Sequence, residues 1–221
     1  HYRISLSVIP VLTQNKDVTI CTGQSHTLPG GRTVTAAGIY TDTLKTQAGC
    51  DSIVTTTLQV NPPLVVSLQA RTAICLGDTA AITATASGGN GGPYSYTWTG
   101  ATGTGNTVTV TPKATTTYSV TVTDGCTIPA ATASIAIQTI APPQPGLNNA
   151  TVTICLGAST TLQATGGTSY SWSPATGLSA SNIPNPQASP TADTRYRVRV
   201  TTAQGCVGEG TGAEKHHFLP R

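Results

Sequence analysis

Apolar and polar residues alternate along much of the chain, the period of a half-buried strand. The alternation is plain in Tyr118-Ser119-Val120-Thr121-Val122, in Tyr196-Arg197-Val198-Arg199-Val200 and through residues 52–60 and 133–140. Across residues 62–141 it predicts strands near 64–74, 80–86, 94–99, 106–111, 116–123 and 132–140. Turn signals separate them at Gly77-Asp78, Gly88 to Gly92, Gly103, Pro112-Lys113 and Asp124-Gly125. Two of the predicted strands read Tyr-x-Trp, Tyr96-Thr97-Trp98 and Tyr170-Ser171-Trp172. Six or seven short strands around a buried Trp predict an all-β fold of immunoglobulin-like sandwiches in tandem.

Composition sharpens this. Thr supplies 43 of the 221 residues, beside 23 Gly and 15 Pro, so strand formers and turn formers dominate and helix formers are scarce. Charged residues are 9% and hydrophobic ones 38%, a balance that argues against disorder. The net charge of +3 is unclustered. Arg195, Arg197 and Arg199 share one strand face without interleaved aromatics, so no nucleic-acid partner is expected. No run approaches the ~20 apolar residues of a membrane span. The opening residues do not read as a signal peptide, which suggests a mature or internal segment.

The six cysteines repeat a pattern. Cys21, Cys75 and Cys155 sit in Thr19-Ile20-Cys21-Thr22-Gly23, Ala73-Ile74-Cys75-Leu76-Gly77 and Thr153-Ile154-Cys155-Leu156-Gly157, whereas Cys50, Cys126 and Cys206 each follow a glycine. A phrase recurring at long period marks a repeat array. Six cysteines allow 15 connectivities, and the repeat logic favours pairing inside each unit: Cys21–Cys50, Cys75–Cys126 and Cys155–Cys206. Each such bond, closing a loop of roughly 50 residues or somewhat fewer, would stabilise by about 4 kcal/mol, and persistent disulfides imply an extracellular setting. Zinc is disfavoured because no C-x-x-C or His-x-x-x-His spacing occurs.

The expected organisation is a short disulfide-stapled repeat over 11–61, a sandwich over 62–141 and a second over 142–221. Asn61-Pro62-Pro63 and Ala141-Pro142-Pro143-Gln144-Pro145 would link them as semi-rigid spacers, giving a rod. Residues 207–221, Gly-rich and then charged, leave the last sandwich without an evident closing strand. Residues 1–10 read as a closing strand without a domain, with Tyr2, Ile4, Leu6 and Val8 on one face. This segment is either the end of a preceding repeat or a donor strand that completes the third domain of a neighbouring copy.

Ile154-Cys155-Leu156-Gly157, Gly166-Gly167-x-x-Tyr170-x-Trp172-x-Pro174, Gly177-Leu178, Pro186-x-Ala188-x-Pro190, Tyr196-x-Val198-x-Val200 and Gly205-Cys206 resemble the Ig-like repeats of large Bacteroidota surface and secreted proteins, gliding-adhesin-like proteins among them. Gly38-x-Tyr40-x-Asp42-Thr43-Leu44 and Gly49-Cys50-Asp51-Ser52 resemble a companion repeat of the same proteins. The resemblance implies a bacterial cell-surface or secreted location and a structural or adhesive role, with like subunits, adjacent repeats or surface glycans as partners. Such repeats also act as spacers in secreted enzymes. It also implies candidate O-glycosylation at Thr43, Ser52 and Thr79, each in an Asp-Ser/Thr phrase; the alternative is that these residues only cap turns. Release after Arg221 by an Arg-specific protease would suit a pilus-like subunit.

No constellation points to catalysis, and no catalytic residue or cofactor is expected. A Gly-x-Ser-x-Gly elbow and a phosphate loop are absent, Ser25-His26 has no acid set to orient it, and His216-His217 reads as a solvated tail. Two functional classes remain: a non-enzymatic adhesive or filament-forming array, and a spacer or carbohydrate-binding module with Tyr94 and Trp98 exposed for sugar stacking.

Overall fold

The computed structural model describes residues 3–5, 8–148 and 151–213. Among them there are only strands and connecting turns, with no helix.

The first stretch holds β1 (Leu12–Ile20), β2 (His26–Thr27), β3 (Thr33–Val34), β4 (Gly38–Lys45) and β5 (Asp51–Val60). The second holds β6 (Val65–Ala70), β7 (Ala73–Cys75), β8 (Ala80–Ser87), β9 (Ser95–Thr99), β10 (Thr107–Val110), β11 (Thr116–Thr123) and β12 (Ala131–Ile140). The third holds β13 (Gly146–Leu147), β14 (Thr160–Thr161), β15 (Ala164–Thr165), β16 (Ser169–Ser173), β17 (Gln187–Ala188), β18 (Arg195–Thr201) and β19 (Val207–Ala213). By Cα proximity the chain gathers into two compact units. One comprises residues 1–70, 81–108 and 117–135; the other comprises 71–80, 109–116 and 136–221.

In the first unit, β4 and β5 form an antiparallel hairpin, and β1 adds to β5 in parallel. Alternation on β5 buries Val54, Thr56 and Leu58 and leaves most of the intervening positions partly exposed, as a one-sided sheet requires. The Trp strand β9 pairs with β11, setting Trp98 opposite Val120 and Tyr96 opposite Val122. In the second unit β16 pairs with β18, setting Trp172 opposite Val198 and Tyr170 opposite Val200. Leu162, Ala164, Trp172, Tyr196, Val198 and Val200 form a core there. The matching registers are two versions of one plan.

Residues 62–141 form two sheets, ordered β10-β8-β6 and β7-β12-β11-β9. This is the two-sheet arrangement of an immunoglobulin-like sandwich, with the buried Trp on the third long strand. The stretch expected as one strand over 64–74 is broken at Arg71-Thr72: β6 pairs with β8, while β7 crosses to pair in parallel with β12. Alternation runs through the break because both halves bury an apolar face, so the pattern does not reveal the change of sheet.

The region after Cys206 corrects an expectation. It does contain a closing strand: β19 pairs antiparallel with β18 from Val207 opposite Thr201 to Ala213 opposite Arg195. Its glycines hid it. A Cβ on Gly208 would fall on the Pro143 carbonyl oxygen, and one on Gly210 would stand 3.0 Å from Pro145 Cβ. The Pro-rich segment lies across positions where an apolar side chain would otherwise signal a strand. Arg3–Ser5 and residues 8–10 form no ladder, and Ile4 and Val8 are 88% and 84% exposed; Tyr2 and Leu6 lie outside the described residues.

Candidate functional site

Two disulfides form among the described residues, and their pairing differs from the one expected within repeats. Cys21 bonds Cys126 and Cys75 bonds Cys206, with Cα separations of 5.7 and 5.4 Å. The parallel pairing of β1 with β5 explains why. Ile20 stands opposite Val60, so Cys21 lies beside Asn61, whose Nδ2 is 3.8 Å from Cys21 Sγ. Cys50 precedes Asp51 at the other end of β5, a strand of 10 residues and therefore about 30 Å long at ~3.3 Å per residue. A disulfide tolerates no more than ~7 Å between Cα atoms. Likewise Cys75 stands opposite Ile140 at the far end of β12 from Cys126. Each bond therefore joins the first cysteine of one sequence repeat to the Gly-Cys of the next.

The first of these junctions is closely built. Gln24 N–H donates to the Cys21 carbonyl at 3.0 Å, closing a turn in which Gly23 has φ +86°. That turn meets the residues around Cys126: Ile128 N–H donates to the Thr22 carbonyl at 3.0 Å, and Gln24 Nε2 donates to the Cys126 carbonyl at 3.0 Å. A Cβ on Gly23 would fall on the Ile128 carbonyl oxygen, so only glycine allows this approach. Thr22 Oγ1 donates to the Asn61 carbonyl at 2.7 Å, tying the linker to the same turn.

Asp124 organises the other side. Its carboxylate accepts from Thr127 Oγ1 at 2.7 Å, Thr127 N–H at 2.7 Å, Asn90 N–H at 2.8 Å and Cys126 N–H at 3.0 Å. The Thr127 hydroxyl, followed by the Thr127, Asn90 and Cys126 amides, holds this buried carboxyl well below the usual carboxylate range despite the opposing effect of burial. The charge thus fixes the loop that presents Cys126. Asp124 reads in sequence as an ordinary Asp-Gly turn residue, and its network joins loops 34 positions apart, so nothing local announces it.

The second junction is plainer. Asp78 N–H donates to the Cys75 carbonyl at 2.9 Å, and Leu76 N–H donates to Ile140 at 2.9 Å. Cys206 is held by Thr202, whose Oγ1 accepts from Cys206 N–H at 3.1 Å. A Thr-x-x-Gly-Cys phrase, at 46–50 and again at 202–206, was the available signal for this turn.

The other candidate residues are placed separately. Trp98 and Trp172 are buried and donate their indole N–H to the carbonyls of Gly105 and Ile183, both at 2.9 Å. Tyr94 is half-buried with its hydroxyl on the Gly88 carbonyl, so Tyr94 and Trp98 do not make an exposed sugar platform. Thr43 and Thr79 are exposed and Ser52 is half-buried on β5. His26 lies half-buried on β2 beside exposed Ser25; His216 and His217 lie outside the described residues. Among the described residues no group of three or more His, Cys, Asp or Glu is gathered as a metal site.

Strand order, the buried Trp and the tandem disposition define the class: tandem immunoglobulin-like β-sandwiches. No protein-family model matches the chain, and no curated protein does. Solved structures similar to it include immunoglobulin domains 1–4 of Sidekick-1, with TM-score 0.41 and 11% identity over 92% of this chain and 74% of that one. Another is a three-domain titin fragment, I67–I69, with TM-score 0.42 and 10% identity over 92% of this chain and 96% of that one. At these scores the class rests on the strand topology, and the likenesses decide nothing about role.

Proposed function

We propose that the chain is a non-enzymatic, extracellular structural and adhesive protein, a series of Ig-like repeats over 11–61, 62–141 and 142–221 from a bacterial surface adhesin or filament of the Bacteroidota kind. The observation that carries this reading is the pair of disulfides running from one repeat to the next. A bond from a strand end to the closing turn of the following repeat carries tension past the linker, which suits a load-bearing array and has no use in catalysis. Such bonds persist in oxidising compartments.

Polymerisation by strand donation extends the reading. Residues 1–9 would add to the third repeat of a neighbouring copy along the outer edge of β19, since β19 itself already fills the closing position. Two features support it: the exposure of Ile4 and Val8, and the state of residues 151–155, which form no ladder although β1 and β7, at the equivalent places, each pair with a closing strand. Electron microscopy of the purified chain tests both levels. With Cys50 and Cys155 kept as thiols, fibres from the full chain and none after deletion of residues 1–9 are the expected result. Fibres that persist without residues 1–9 refute strand donation, and an enzymatic activity in the purified chain refutes the structural role.

A further inference from the structure

Cys50 and Cys155 are the cysteines left unbonded among the described residues, the first half-buried and the second exposed. They are of complementary kinds. Cys155 opens a turn closed by Ala158 N–H donating to its carbonyl at 3.0 Å, with Gly157 at φ +85°. The bonded Cys21 and Cys75 open the same turn, with bonds of 3.0 and 2.9 Å and Gly23 and Gly77 at φ +86° and +95°. Cys50 closes the other kind of turn. Thr46 N–H donates to the Cys50 carbonyl at 2.8 Å, Gly49 N–H to the Thr46 carbonyl at 2.9 Å, and Cys50 N–H to Thr46 Oγ1 at 3.1 Å. Around the bonded Cys206 the same three bonds, from Thr202, Gly205 and Cys206, measure 2.9, 2.9 and 3.1 Å.

Both disulfides obey one rule: the opening cysteine of a repeat bonds the closing cysteine of the next. Applied to the described residues, the rule leaves one closing cysteine, Cys50, and one opening cysteine, Cys155, unbonded. Leu156 beside Cys155 is 63% exposed, against 46% for Leu76 beside the bonded Cys75.

We propose that Cys155 of one copy bonds Cys50 of a second copy, so that copies join head to tail by the staple already present inside each. The inference goes beyond the proposed function and does not depend on residues 1–9. The bond needs a two-electron oxidant, and a small-molecule disulfide serves. A Cys155 thiolate attacks glutathione disulfide, releasing one glutathione and leaving a mixed disulfide. The Cys50 thiolate then attacks the Cys155 sulfur and releases the second glutathione, so two thiols are oxidised and one disulfide is reduced.

The test uses the full chain, its Cys50→Ser and Cys155→Ser variants, and a glutathione redox buffer, read by non-reducing electrophoresis and intact mass. Tryptophan fluorescence confirms that each variant is folded. The wild type should give a ladder that collapses with reductant. Each variant alone should stay monomeric, and their mixture should give dimers joined only through Cys155 of one and Cys50 of the other. Dimers of the Cys50→Ser variant with itself would show an indiscriminate exposed thiol and overturn the proposal. Failure of the mixture to dimerise overturns it as well, as does a ladder that vanishes when residues 1–9 are deleted.

Discussion

Removing the first staple with the double substitution Cys21→Ser/Cys126→Ser should cost far more stability than removing Cys50. The staple closes a loop of 105 residues. Cross-linking a loop of that length lowers the entropy of the unfolded chain enough to stabilise by about 5 kcal/mol. The loop closed by Cys75–Cys206 overlaps it, so the two contributions are not independent and 5 kcal/mol is an upper figure. Cys50→Ser removes no bond within the chain. Its backbone N–H keeps Thr46 Oγ1, and the change should stay within about 0.5 kcal/mol. Urea titration under non-reducing conditions, followed by Trp98 and Trp172 fluorescence, measures both. The double variant should also show a steeper dependence on urea, because an uncrosslinked unfolded state exposes more surface. A loss of several kcal/mol on Cys50→Ser, comparable to that of the double variant, would refute the reasoning, since it would place Cys50 in an intrachain bond.

Three further outcomes are expected. Asp124→Asn should destabilise at neutral pH, and the gap from wild type should close as pH falls through and below 3.8, the ordinary carboxyl value, because a lowered folded pKa stabilises above that value and the contribution is lost on acidification; unfolding free energies from pH 7 downward check it. Gly23→Ala should cost roughly 1–3 kcal/mol, since it strains a positive φ and drives a Cβ into the Ile128 carbonyl, and hydrogen exchange at the Ile128 amide should rise with it. Trp172→Ala should cost about 3–5 kcal/mol in thermal or urea unfolding, as truncation of a fully packed aromatic does, and wild-type emission should be blue-shifted.

Most strands were legible because alternation is a direct consequence of one-sided burial. Residues 116–123 were expected as a strand and are β11; 132–140 was expected and β12 begins one residue earlier. What escaped has particular causes. Spacing along a chain does not distinguish a parallel from an antiparallel neighbour, and the parallel pairing of β1 with β5 is what carries Cys21 away from Cys50. Gly208 and Gly210 removed the apolar signal of β19 because prolines occupy that space. Asp124 draws its partners from Asn90 and Thr127 as well as from its neighbour Cys126, so its role depends on tertiary structure. The cysteine phrases themselves were plain in the sequence; the rule that connects them was not.

The most direct test of the staple from one repeat to the next is a disulfide map of the oxidised chain. Trypsin alone leaves Cys126 and Cys155 in one peptide, residues 114–195, so a second protease must cut between them. Mass spectrometry of the non-reduced digest should then find Cys21 linked to Cys126 and Cys75 linked to Cys206. Linkage of Cys21 to Cys50 and of Cys75 to Cys126 would contradict the account.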